Sequence, residues 1–79
     1  MYSVSLSNQD CIFDSASGFH TAKEAMQWAL GRGGCYVAQI QNDDTNGAFR
    51  SFSISDGQIK TYDGWDWIDV KLDGVEEYV

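Results

Sequence analysis

The first residues of the chain alternate between apolar and polar side chains. Tyr2, Val4 and Leu6 are separated by serines, and this period of two predicts a strand with one buried face. After a polar turn at residues 8–10, the segment 11–13 predicts a short return strand. The serine- and glycine-containing segment 15–18 predicts a loop.

Near residue 21 the period changes to that of a helix. Thr21 followed by Glu24 has the spacing of a capping box, in which the threonine hydroxyl accepts from the glutamate amide. The apolar positions that follow recur at i, i+3, i+4 and i+7; they are Ala22, Ala25, Met26 and Ala29. Glycines at 31, 33 and 34 end the pattern. The sequence therefore predicts one helix over about residues 21–31.

From residue 35 onward the period returns to two. Segments 35–41, 49–55, 58–62 and 65–72 predict strands, and Asn-Gly or Asp-Gly pairs punctuate this region at 46–47, 56–57, 63–64 and 73–74. These dipeptides are strong hairpin signals, because a type I′ turn needs positive φ at both central residues. The absence of proline agrees with long antiparallel ladders.

Together these patterns predict an α+β fold in a single compact domain of residues 1–79. A single helix packs on a four- or five-stranded, mainly antiparallel β-sheet. The expected inner layer consists of Val4, Leu6, Ala25, Met26, Ala29, Tyr36, Ala38, Ile40, Phe52, Ile54, Ile59, Ile68 and Val70.

The last predicted strand contains a conflict of register. Ile68, Val70 and Leu72 share one face, whereas Trp65 and Trp67 share the other face with charged residues. Burying those charges unpaired would cost several kcal/mol. Either a β-bulge near Trp67 switches faces and buries every apolar residue, or the tryptophans stay partly exposed. We expect at least one of the two to be exposed in the free protein and buried in a complex.

Charge restricts the class of partner. The chain has twelve Asp and Glu against five Lys and Arg, a net charge of −7. Nine of the acids, against three bases, lie between residues 43 and 79. Such a surface repels nucleic acid and anionic lipid, and it attracts basic protein surfaces over about 8 Å at physiological salt.

Other functional signals are weak. Cys11 and Cys35 lack the spacing of a zinc site. His20 could in principle pair with a cysteine or serine nucleophile and be oriented by Asp14, but it lies just before the helix cap, where a polar residue needs no function. The segment 42–47 resembles half of a calcium loop but lacks its first Asp and its terminal Glu, so a polar hairpin loop is expected. We therefore expect no catalytic residue, no metal, no cofactor and no enzymatic activity. With neither a secretory signal nor an apolar run of membrane-spanning length, we expect a cytoplasmic protein with free thiols.

The candidate site is an acidic segment with tryptophans inside it. Carboxylates on one strand face repeat every ~6.6–6.8 Å, and such an array can compete with a phosphate backbone for a Lys/Arg-lined groove. Tryptophan would add the contact area of a binding hot spot. The alternative is a solvated acidic face that only confers solubility. The predicted partner-binding residues are Asp43, Asp44, Asp56, Asp63, Trp65, Asp66, Trp67, Asp69, Asp73, Glu76 and Glu77.

In size, layout and acidity, from Tyr2 to Leu72, the chain resembles small phage and mobile-element anti-CRISPR proteins. The resemblance implies a non-enzymatic inhibitor, a DNA mimic that binds a basic surface of a Cas effector subunit in the host bacterial cell. It implies no direct contact with nucleic acid or membrane, and it leaves the oligomeric state open. The alternative is a small structural or accessory phage protein whose acidity only keeps it in solution.

Overall fold

The computed structural model describes residues 1–9, 11–45 and 47–79. Within them the chain forms six strands, one α-helix and one 3-10 helix. In chain order they are β1 (Tyr2–Asn8), β2 (Cys11–Phe19), α1 (Ala22–Leu30), β3 (Cys35–Asn42), β4 (Ala48–Ser55), β5 (Gln58–Tyr62), β6 (Trp67–Val70) and the 3-10 helix (Leu72–Tyr78).

The six strands form one antiparallel sheet in the order β2-β1-β3-β4-β5-β6. The α+β class with one α-helix on an antiparallel sheet is confirmed, but the expected count of four or five strands is wrong. The segment 15–18 is not a loop, because it pairs with β1 and extends β2 to nine residues. These small side chains lie on an edge strand. The pairing of β2 with β1 contains two register shifts, which explains why β2 lacks a regular alternation of apolar and polar residues.

Helix α1 follows its predicted limits closely. The Thr21 hydroxyl accepts from the Glu24 amide at 3.1 Å, as a capping box requires. The Glu24 carboxylate reaches one residue further than expected and accepts from the His20 amide at 3.2 Å. Gly31 ends the helix with right-handed backbone angles, so the left-handed conformation falls on the later glycines of that turn.

The core lies between the sheet and α1, which packs over β1, β2 and β3. Every residue of the expected inner layer is buried except Ile68, which stays partly exposed on edge strand β6. Ala22, Thr61 and Val75 are buried as well. The Thr61 hydroxyl donates to the Ser51 carbonyl at 3.0 Å, which satisfies the hydroxyl in an apolar setting.

The end of the chain differs from the predicted strand 65–72. Strand β6 stops at Val70, and residues 72–78 turn back as a 3-10 helix beside α1. Val75 is fully buried, and the Tyr78 ring meets Phe52 edge-on. The Asp73-Gly74 pair therefore lies inside a helix and not in a hairpin turn, because burial of Val75 outweighs the local turn preference.

The predicted type I′ turn is confirmed between β4 and β5. Asp56 and Gly57 have φ values of 49° and 87°, so both central residues are left-handed. The predicted Asn46-Gly47 turn lies partly outside the described residues, because it includes Asn46.

Candidate functional site

Two turns rich in carboxylates lie at the same end of the sheet. The sheet is a meander from β3 to β6, so the β3–β4 and β5–β6 turns meet at one end, and the β4–β5 turn lies at the other. Two strand spacings separate the two turns, about 10 Å. We call this the acidic end; it comprises Asp43, Asp44, Asp63, Trp65 and Asp66.

The β5–β6 turn is built around one carboxylate. Oδ1 of Asp63 accepts from the backbone amides of Trp65 and Asp66, both at 2.8 Å. The Asp63 amide donates to the Asp66 carbonyl at 3.1 Å and closes the turn. These amide donors hold the pKa of Asp63 below its usual value. Asp63 is therefore a turn-forming residue as well as a surface charge.

The turn places Trp65 in solvent. Its side chain is 91% exposed, and that of Trp67 is 59% exposed. Strands β5 and β6 pair without a register shift from Ile59–Val70 to Tyr62–Trp67. The alternative of a face-switching bulge is therefore wrong, and the expectation that at least one tryptophan is exposed in the free protein is confirmed.

Two further aromatic side chains reach solvent near this end. Phe49 and Tyr62 are each about half exposed, and the Tyr62 ring lies 5.5 Å from that of Trp67. The sequence-based list of binding residues missed both. The sequence pattern could have identified them, because residues two apart in a strand share a face. Phe49 shares the face of the serines in β4, and Tyr62 shares the face of Lys60 in β5.

The β3–β4 turn is tied to the start of the chain. The Ser3 hydroxyl donates to Oδ1 of Asp43 at 3.0 Å, and Asp44 pairs with the amino group of Met1. Oδ1 of Asn42 accepts from the Asp44 amide at 3.0 Å. The side chains of this polar turn are thus used to shape it, although both carboxylates remain exposed.

The other predicted acids are scattered. Asp56 lies at the opposite end of the sheet, and Asp69 faces Lys60 on the sheet surface, 4.0 Å away. Asp73 pairs with Lys23 of α1 at 2.7 Å, which lowers the pKa of that carboxyl. The remaining two, Glu76 and Glu77, lie on the 3-10 helix, where Glu76 accepts from the Lys23 amide at 3.0 Å.

The expected carboxylate array along one strand face is therefore wrong. Asp63 and Asp66 lie in a turn, Asp69 lies on β6, and Asp73 lies on the helical side of the molecule. The array fails because β6 is only four residues long, which leaves one of the four carboxylates within it. What the fold brings together instead is a compact group of acids and aromatics at the two neighbouring turns.

Other candidate chemistry gains no support from the geometry. Cys11 and Cys35 are exposed free thiols. Among residues 1–9, 11–45 and 47–79, no cluster of His, Cys, Asp or Glu is arranged to hold a metal ion. The described part of the chain also contains no helix with the length and hydropathy needed to cross a membrane.

Comparisons of the chain with protein-family models, with curated proteins and with solved structures give no significant match.

Proposed function

We propose that this protein is a non-enzymatic inhibitor that uses the acidic end to occupy a basic, nucleic-acid-binding protein surface. The observation that carries the proposal is Trp65, an almost fully exposed indole held between Asp63 and Asp66. Nothing in the fold requires a large apolar side chain at the tip of a hairpin turn. An exposed tryptophan flanked by carboxylates suits a cationic protein surface, because it adds buried area and cation–π contact to charge attraction.

The second turn strengthens the match to a cationic groove. The β3–β4 turn, which carries Asp43 and Asp44, lies two strand spacings (about 10 Å) from the β5–β6 turn, so one partner surface can meet both groups of acids. Two groups of carboxylates at this spacing compete with phosphates for Lys and Arg side chains, although the amino group of Met1 offsets one charge of the β3–β4 group. The specific form of the proposal is an anti-CRISPR protein that blocks DNA binding by a Cas effector subunit in a bacterial cytoplasm, with no direct contact to nucleic acid.

The test is DNA binding by purified Cas effector complexes, measured with a fluorescent target duplex and increasing amounts of this protein. We expect this protein to inhibit DNA binding by one of these complexes. Its affinity for that complex should fall steeply as the salt concentration rises. Trp65→Ala should weaken inhibition about 30- to 1000-fold, the loss typical of a hot-spot tryptophan. Phe13→Ala is the control, because Phe13 is also aromatic and 48% exposed but lies near the opposite end of the sheet, with its ring beside Tyr36.

A matched pair of neutralised acids separates local charge from total charge. Asp66→Asn and Asp56→Asn each remove one negative charge, at opposite ends of the sheet. Asparagine also tolerates the left-handed backbone of Asp56. If the acidic end is the site, only the first variant slows association. Equal effects of both, or full inhibition by Trp65→Ala, would contradict the assignment.

The alternative of a structural or accessory phage protein has its own supporting observation. Several acids are engaged within the molecule, including Asp63 in its turn and Asp73 with Lys23. Acids used this way stabilise local structure and keep the chain in solution. Under this alternative no Cas complex is inhibited at any salt concentration.

A further inference from the structure

The sheet has one covered face and one open face. α1 and the 3-10 helix lie on the covered side, and alternate side chains of every strand point the other way, into solvent. Most of these open-face positions are small or amide side chains. They are Ser3, Ser5, Ser7, Ser15, Ser51, Ser53, Ser55, Gln39, Gln41 and Gln58.

Charge is nearly excluded from the open face. Of the seventeen charged residues in the chain, the described strand positions on this face carry only Lys60 and Asp69, which lie 4.0 Å apart. The strand positions of this face are therefore neutral as a set in a protein of net charge −7. One further carboxylate, that of Asp43, reaches the rim of the face, where it accepts from Ser3 at 3.0 Å. An ordinary solvated sheet face carries mixed charges, whereas depletion of charge marks the centre of protein interfaces.

The same face carries large apolar side chains in solvent. Ile12 and Val37 lie in one row across β2, β1 and β3, and Phe49, Tyr62 and Trp67 lie toward the acidic end. All five are exposed by 40% or more. Enrichment of aromatic residues and depletion of charge are two features of an interface core, whereas the many serines of this face are not.

The open face is also large, and many of its side chains are short. The molecule measures 27 × 27 × 22 Å, so the face covers roughly 600–700 Å² in projection, near the ~800 Å² that each partner contributes to a standard interface. The short serine side chains of β1 and β4 let a second sheet approach those strands to the ~10 Å spacing of packed sheets.

We propose that a second copy of this chain packs face to face on the open face, forming a symmetric dimer. A basic partner gains nothing from a neutral face and is drawn to the acidic end instead. A second copy brings no unpaired strand carboxylate against this face, whereas at the acidic end it would bring carboxylates against carboxylates. In a two-fold arrangement the same patch serves both copies, which a neutral, serine-rich patch permits.

The centre of the open face offers a sharp test. β3 and β4 are the middle strands, and Gln39 pairs with Ser51 at their midpoint. Near a two-fold axis, residue 39 of one copy lies close to residue 39 of the other. Gln39→Arg therefore places like charges against each other and should raise the dimer dissociation constant at least about tenfold. Gln27→Arg is the matched control, because Gln27 is an exposed glutamine on α1, on the other side of the sheet.

Sedimentation velocity over a range of concentrations measures the mass directly. Wild type and Gln27→Arg should approach twice the 8.8 kDa chain mass with the same dissociation constant. If Gln39→Arg fails to fold by circular dichroism, Gln39→Glu carries the test with an isosteric side chain. Wild type that remains monomeric at about 1 mM overturns the proposal. So does an equal effect of the substitutions at 27 and 39.

Salt separates this inference from the inhibitor function. Two chains of net charge −7 repel at long range, so the dimer should strengthen as salt rises, whereas binding to a basic partner should weaken. A monomer that still inhibits through Trp65 refutes the dimer alone. If the protein is a dimer and the Trp65→Ala variant inhibits as well as wild type, only the inhibitor site is refuted.

Discussion

The covered and open faces of the sheet use the same strands in opposite ways. Along β4, Phe52 and Ile54 are buried under the helical layer, while Phe49 and the intervening serines face solvent. On the covered face each large side chain is explained by the core that it fills. On the open face and in the β5–β6 turn, the large apolar side chains have no such role. Packing of the core accounts for the covered face but not for the exposed aromatics of the open face, and we propose contact with other molecules as their role.

Truncating one phenylalanine on each face of β4 tests this difference most directly. Phe52→Ala should cost about 3–5 kcal/mol of unfolding free energy, since it leaves a cavity in a fully buried site. Phe49→Ala should change that free energy by less than about 1 kcal/mol. Urea denaturation followed by circular dichroism measures both. Similar losses in the two variants would show that the open face is structural.

A second comparison sets a helix tryptophan against the turn tryptophan. Trp28 is partly buried, with its ring 6.3 Å from Phe19 and under the guanidinium of Arg32 at 4.9 Å. Trp28→Ala should cost about 1–3 kcal/mol, less than a fully buried tryptophan. Trp65→Ala should leave the melting temperature nearly unchanged. Acrylamide quenching of the remaining tryptophans provides a check, because removing Trp65 should remove the most accessible fluorescence.

A smaller effect is expected from the buried hydroxyl of the covered face. Thr61→Val removes the hydrogen bond to the Ser51 carbonyl and should cost about 1 kcal/mol. Thr45→Val is the control, because its hydroxyl also meets a carbonyl, that of Asn42 at 3.4 Å, but in an exposed turn. We expect no measurable change for Thr45→Val. If both variants lose equal stability, burial does not determine how much the hydrogen bond contributes to the free energy of unfolding.

The smallest expected effect is the acid sensitivity of the Lys23–Asp73 contact. Lys23 lowers the pKa of Asp73 in the folded state, so the stabilisation is present above the unfolded pKa of about 3.9 and is lost as pH falls through the lower folded value. Asp73→Asn should flatten the fall of melting temperature below about pH 4. Lys23→Met should flatten it equally, and the double variant should add nothing further. Unequal slopes in the two single variants would contradict the pairing.

Local patterns in the sequence predicted much of the molecule, and the exceptions are instructive. The limits of α1, the turn at Asp56-Gly57 and nearly all of the core follow from capping, φ preferences and side-chain period. β2 was missed at residues 15–18 because its serines and glycine resemble a loop. The Asp73-Gly74 signal was misleading because burial of Val75 placed that pair in a helix.

The candidate site was predicted in composition and not in arrangement. The sequence singled out Trp65, Trp67 and the acids around them, and their exposure follows from the face claimed by Ile68 and Val70. It did not predict that Asp63 forms a turn or that Asp73 lies across the molecule beside Lys23. Such contacts join residues far apart in the chain, and no local pattern encodes them.

The class of fold, the helix, the alternating faces and the acidity follow from the sequence, because each depends on neighbouring residues or on composition. That six strands form the sheet, and that the β3–β4 and β5–β6 turns share one end, is set by tertiary contacts. The same contacts leave a neutral face open opposite the helices. These features depend on strand order and pairing, which are set by the burial of the whole core.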